Sequence, residues 1–157
     1  MSKILIAYFS ATGTTAHVAK QMAEASGADI YEIKLEKPYT EADLNWTNNH
    51  CRSAIETHDR RFRPKLADKD AHISEYDKIL LGFPIWWYVA PNVINTFLES
   101  YNFYGKTIIL FTTSGGNGFG TIKAELVRSC PGAIIKEGKV LNGTFSSEAL
   151  GKWVKSL

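Results

Sequence analysis

Three short segments of this chain hold residues whose types and spacing could do chemistry. The first is SATGTT, residues 10–15, where four hydroxyls (Ser10, Thr12, Thr14 and Thr15) surround Gly13 just as an apolar run gives way to helical spacing. A helix start presents unpaired N–H groups and about half a positive charge, which suits phosphate. Hydroxyls add donors without adding net charge, and Gly13 lets the backbone come close. The segment contains no Lys or Arg. That argues against the nucleotide P-loop, whose lysine reaches the terminal phosphates, and for a phosphate monoester held by neutral donors. The rival reading is that Ser10 or Thr12 only caps the helix.

The second segment is PIWWYVAP, residues 84–91, with Trp86, Trp87 and Tyr88 placed where the chain leaves an apolar strand. Exposed aromatics of this size call for a partner. A flat heteroaromatic ring fits, since offset stacking on Trp or Tyr adds about 0.5–1.5 kcal/mol beyond area burial. Pro84 and Pro91 stiffen the loop; the alternatives are a hydrophobic plug or a dimer contact. The third segment, SGGNGFG at residues 114–120, has four glycines in seven positions. Its uncovered backbone can hydrogen-bond the polar edge of a planar ring, or it can merely end a strand. A phosphate cradle, a stacking platform and a flexible polar rim together describe a site for flavin mononucleotide (FMN).

The elements that must position these loops are legible as runs of alternating type. Lys3–Ser10, Asp29–Leu35, Asp77–Phe83 and Lys106–Thr113 read as strands, the first, third and fourth apolar enough to be covered on both faces. The second alternates and reads as an edge or near-edge strand. Ala133–Leu141 is a weaker fifth strand, interrupted by Gly138. Helical patterns occupy Thr14–Ala25, Pro91–Glu99, Ile122–Ser129 and Ser147–Val154. Residues 38–74 read least clearly, as one amphipathic helix or two short ones followed by extended chain. Alternating strands and helices predict an α/β, doubly wound parallel sheet with right-handed crossovers. Ligands of such sheets bind beyond the carboxyl ends of the strands, where the winding direction reverses.

Composition sets the outer limits. The chain has 157 residues, 45% of them apolar and 22% charged, with a formal net charge of +2. We expect one domain over residues 1–157, with no nucleic-acid partner and no membrane insertion. No apolar run approaches the roughly 18 residues of a membrane span, and no signal-like segment precedes the first strand, so the expected location is cytoplasmic. Cys51 and Cys130 have no metal-ligand spacing and read as free thiols. His17, His50, His58 and His72 are scattered, so no catalytic residue and no metal site is assigned.

On SATGTT after KILIAYF, GFPIWWYVAP after the third strand and TTSGGNGFG after the fourth, the chain resembles the flavodoxin-like family over essentially its whole length. It is most similar to a bacterial flavodoxin-domain subgroup with Pro-Ile-Trp-Trp and Thr-Ser-Gly-Gly loops. The resemblance implies a three-layer, five-stranded parallel sheet in order 2-1-3-4-5 with FMN at the switch point. It implies that Ser10, Thr12, Gly13, Thr14 and Thr15 bind the phosphate. Pro84, Ile85, Trp86, Trp87 and Tyr88 would line the isoalloxazine, with Trp87 or Tyr88 stacking on it. Ser114, Gly115 and Gly116 would meet the ring's polar edge, and Phe119 would close it.

Two departures bear on function. Electron-carrying flavodoxins are typically acidic, whereas this sequence has a pI near 8.5 and no acid in its three loops. A basic stretch, HDRRFRPK, places Arg60, Arg61, Arg63 and Lys65 together; it is either a solvated face or a site for an anionic substrate, nicotinamide phosphate or an acidic redox partner. The expected function is an FMN flavoprotein carrying electrons between a redox partner protein or small acceptor and a donor, NAD(P)H being one candidate. The alternatives are an FMN-dependent NAD(P)H:quinone-type reductase and a flavin-free protein-binding module. Oligomeric state stays open.

Overall fold

The computed structural model describes residues 3–45, 47–48, 50–113, 119–141 and 145–157. Five strands, β1 (Ile4–Tyr8), β2 (Asp29–Glu32), β3 (Lys78–Phe83), β4 (Thr107–Thr112) and β5 (Ile134–Val140), form one sheet in the order β2-β1-β3-β4-β5. All four neighbouring pairs are parallel. The helices are α1 (Thr14–Ser26), α2 (Arg52–His58), α3 (Asn92–Ser100), α4 (Ile122–Val127) and α5 (Ser147–Lys155). The expected flavodoxin-like architecture and strand order are therefore what the chain adopts.

The strand alternation splits the core in two. Leu5, Ala7, Ile79, Leu81, Ile108 and Leu110 face α3 and α4, meeting Val93, Phe97, Ile122 and Leu126. Ile6, Tyr8, Leu80, Ile109 and Phe111 face α1 and α5, meeting Val18, Met22, Leu150 and Val154. Burying each such side chain stabilises by about 1.5–3 kcal/mol, which ties both helical layers to the sheet. Strand β3 has a glycine, Gly82, opposite Phe111 of β4. A Cβ there would lie 2.0 Å from the Phe111 ring, which occupies that space. On the same face α5 presses close to α1, where a Cβ on Gly151 would sit 2.9 Å from that of Ala25. Ser146 caps α5, its hydroxyl accepting from the Ala149 amide at 3.1 Å.

Three sequence expectations need refinement. The β2 ladder ends at Glu32 rather than Leu35. Beyond it the Ile33 amide still donates to the Tyr8 carbonyl at 2.7 Å, and Leu35 forms an antiparallel bridge with Leu66. Among the described residues of 38–74 there are one short helix, α2, and 3-10 turns at Ala42–Leu44 and Ile73–Glu75, closer to the two-short-helices reading than to one long amphipathic helix. The interruption at Gly138 is a bulge: Leu110 pairs with Glu137 and Phe111 with Lys139, so Gly138 is the extra residue.

Candidate functional site

The carboxyl ends of β1, β3 and β4 open into a cleft of about 520 Å³, a volume typical of small-molecule sites. It lies where the chain winds from β1 to β2 on one side and to β3 on the other, the switch point of the sheet. Each of its walls comes from a different stretch of sequence.

The floor is the turn into α1. Gly13 adopts the left-handed region, φ 95° and ψ −13°, and its amide donates to Ser10 Oγ at 3.1 Å. Among the described residues no side chain caps the helix, so first-turn amides are left for another acceptor. The reading of Ser10 or Thr12 as a simple cap is thereby corrected: the Ser10 hydroxyl closes the turn itself. Thr12, Thr14 and Thr15 line the cleft. Thr15 is 2% exposed and its hydroxyl lies 2.6 Å from that of Thr113, at the end of β4.

One wall is the aromatic loop, through Pro84, Ile85, Trp86 and Trp87. Trp86 meets Phe9 edge-on, with centroids 5.9 Å apart, and Tyr39 at 5.4 Å. That leaves it wedged in place. Trp87 touches the ring of His58 at 5.4 Å. Between them and Val89 the chain makes a tight turn, Trp86 N–H to Val89 O at 2.9 Å and Val89 N–H to Trp86 O at 3.0 Å. Trp87 and Tyr88 occupy its centre with φ of 47° and 68°, a conformation that Asn-Gly ordinarily supplies. A left-handed backbone costs a side-chain-bearing residue about 1–2 kcal/mol. Strain of this kind gathers at functional sites.

The opposite wall comes from residues 38–58, through Leu44 and the buried Ser53. A polar network fastens it. Tyr39 donates its phenol to Glu56 at 2.6 Å, Arg52 donates to the other Glu56 oxygen at 2.6 Å, and the Arg52 guanidinium stacks 4.4 Å above the Tyr39 ring. Burial, and then the bond to Glu56, push the Tyr39 hydroxyl far above the usual tyrosine range. It therefore stays a neutral donor.

A second knot holds the far end of the aromatic loop. Arg60 donates to the Glu125 carboxylate, to the Ala90 carbonyl at 3.0 Å and to Asn92 Oδ1 at 2.6 Å. Asn92 in turn donates to the carbonyls of Asp59 and Phe62 at 2.8 and 3.0 Å. Arg63 pairs with Glu99 at 3.0 Å. Two of the four cations in the basic stretch are thus engaged in joining elements, and the anion-site reading loses them. Arg61 and Lys65 are exposed.

Among the sequence-predicted residues, the structure brings Thr12, Thr14, Thr15, Pro84, Ile85, Trp86 and Trp87 into one cleft. Ser10 lines an adjoining hollow of about 240 Å³. Tyr88 is 71% exposed outside the cleft, and Phe119 is 9% exposed within the core cluster. Ser114, Gly115 and Gly116 lie outside the described residues. The sequence reading missed Ala11, Leu44, Ser53 and Thr113. Thr113 had a signal, a hydroxyl directly before a glycine-rich loop; Leu44 and Ser53 had none, because their approach depends on the Tyr39–Glu56–Arg52 network. No charged side chain among the described residues lines the cleft, and those residues hold no cluster suited to a metal ion.

Comparison with known proteins agrees with this geometry. Residues 3–157 match the flavodoxin family. The crystal structure of a Bacteroides uniformis ATCC 8492 protein assigned to the flavoproteins superposes with a TM-score of 0.89 at 48% identity, over 98% of each chain. A flavoprotein from Lactobacillus acidophilus NCFM, crystallised in complex with FMN, shares the fold with a TM-score of 0.71 at 20% identity, covering 98% of this chain and 99% of that one. FMN-dependent NADH:quinone oxidoreductase 1 of Bacillus subtilis (strain 168) is 25% identical over 136 residues. That match takes in 80% of this chain but only 64% of the enzyme's own length.

Proposed function

This chain belongs to the flavodoxin family, and on that footing we propose that it is an FMN-binding redox flavoprotein, residues 1–157 acting as one domain that passes electrons between partners. The observation that carries the reading is a single cleft joining an uncapped helix start, four threonine hydroxyls and two indoles, with no charged side chain among the described residues of its lining. Neutral donors suit a phosphate monoester, and indole faces suit a tricyclic ring. The fit is therefore good at both ends of the ligand.

When bound, FMN would supply reversible electron and hydride chemistry. The chain's own residues would bind and orient it. Thr12, Thr14 and Thr15, with the amides after Gly13, would hold the phosphate, while Ser10 keeps their turn closed. Trp87 would lie against the ring, with Trp86, Pro84 and Ile85 shielding it from water and Tyr88 at its rim. Ser114, Gly115 and Gly116 would stand toward its polar edge, and Phe119 would close it.

Anaerobic reductive titration of the FMN-loaded protein tests the carrier role. A carrier takes electrons from dithionite and leaves NADH unconsumed in the absence of a reductase. The similarity to the Bacillus subtilis enzyme favours a second reading, an NAD(P)H:quinone reductase; steady NADH oxidation with an added quinone would select it. The redox partner is proposed only as a class, a protein or small acceptor able to reach the cleft mouth. Among the described residues no helix is long and apolar enough to cross a membrane.

A further inference from the structure

We propose that Thr113 is a positioning residue of the phosphate subsite, its hydroxyl donating to Thr15 and so turning the Thr15 proton toward the cleft. The inference rests on the FMN reading and goes beyond it, because it assigns a role to a residue outside the helix start.

The argument begins with the two hydroxyls. Thr15 and Thr113 are separated by 98 positions in sequence, yet their oxygens lie 2.6 Å apart and both residues are buried, at 2% and 8% exposure. Both also line the cleft. Each hydroxyl has one proton and two lone pairs, so the pair has two arrangements. If Thr15 donates to Thr113, the Thr15 oxygen offers only lone pairs to the cleft and repels an anion. If Thr113 donates, Thr15 keeps its proton for a ligand oxygen. Among the described residues this is the only hydrogen bond of either hydroxyl, and by itself it can run in either direction. An anion in the cleft selects the second arrangement. Donation into Thr15 also polarises its O–H, since hydrogen bonds in series strengthen one another in a low-dielectric site.

The pair has a mechanical consequence too. The bond joins the first turn of α1 to the end of β4, so it fixes the distance between the phosphate floor and Thr113.

Thr113→Val keeps the shape and removes the donor; Thr113→Ser keeps the donor. FMN and riboflavin, which lacks the phosphate, are titrated into each apo-protein while flavin fluorescence is followed. Thr113→Val should weaken FMN binding about tenfold, the loss expected for one charge-assisted hydrogen bond in a chain, and change riboflavin binding less than about twofold. Thr113→Ser should bind FMN within about twofold of the unaltered protein. If Thr113→Val does not fold, Thr113→Ser against Thr113→Ala reads the same difference. Unchanged FMN binding by Thr113→Val, or equal losses for FMN and riboflavin, would overturn the inference while leaving the FMN reading intact. Failure of the unaltered protein to bind either flavin would overturn both.

Discussion

At the scale of single residues, the strained pair Trp87 and Tyr88 is the clearest sign that this loop is held for a purpose. Both have positive φ, in a turn closed by Trp86 and Val89, and Tyr88 is too exposed for packing to offset its strain. Comparing Tyr88→Gly with Tyr88→Ala isolates the backbone effect, since neither keeps the ring. The glycine variant should be the more stable by about 1 kcal/mol in chemical denaturation of the apo-protein, because only glycine is at ease there. The residue types of this loop were legible in PIWWYVAP, but its geometry was not: a turn of this kind is normally announced by Asn-Gly. Likewise SATGTT disclosed four hydroxyls without disclosing that Ser10 is spent on Gly13 while Thr15 meets Thr113.

At the scale of elements, packing at the sheet explains why the strands could be read and the connecting segment could not. β1, β3 and β4 are buried on both faces, and a strand covered twice writes itself as a continuous apolar run. Residues 38–74 are held largely by contacts between distant segments, which leave no periodic pattern: Tyr39 to Glu56, Leu35 to Leu66 and Arg60 to Glu125. Gly138 looked like a break in the fifth strand, yet it is the residue that lets β5 bulge past Leu110, where a Cβ would lie 2.3 Å from the Leu110 carbonyl oxygen. The same reasoning yields a sharp expectation for Gly82. Gly82→Ala would drive a methyl into the Phe111 ring and should destabilise the protein by about 1–3 kcal/mol, seen as a lower urea midpoint at unchanged slope. Pairing it with Phe111→Leu should recover part of that loss.

At the scale of the whole molecule, the cleft lies at the carboxyl edge of the sheet where the winding direction reverses, and the turn into α1, the aromatic loop and Thr113 meet there because the strand order β2-β1-β3-β4-β5 sets β1, β3 and β4 side by side. The chain carries a small positive charge of +2, but among the described residues no charged side chain lines the cleft. Binding there should draw on hydrogen bonds and stacking instead of attraction between opposite charges. Salt gives the most direct test, because it screens exposed charges and leaves buried hydrogen bonds largely untouched. FMN titrated into apo-protein at 0.05 M and 0.5 M salt should bind with affinities within about threefold of each other, and in both cases far more tightly than riboflavin. Affinity that collapses with salt, or riboflavin that binds as well as FMN, would contradict a phosphate held by neutral donors.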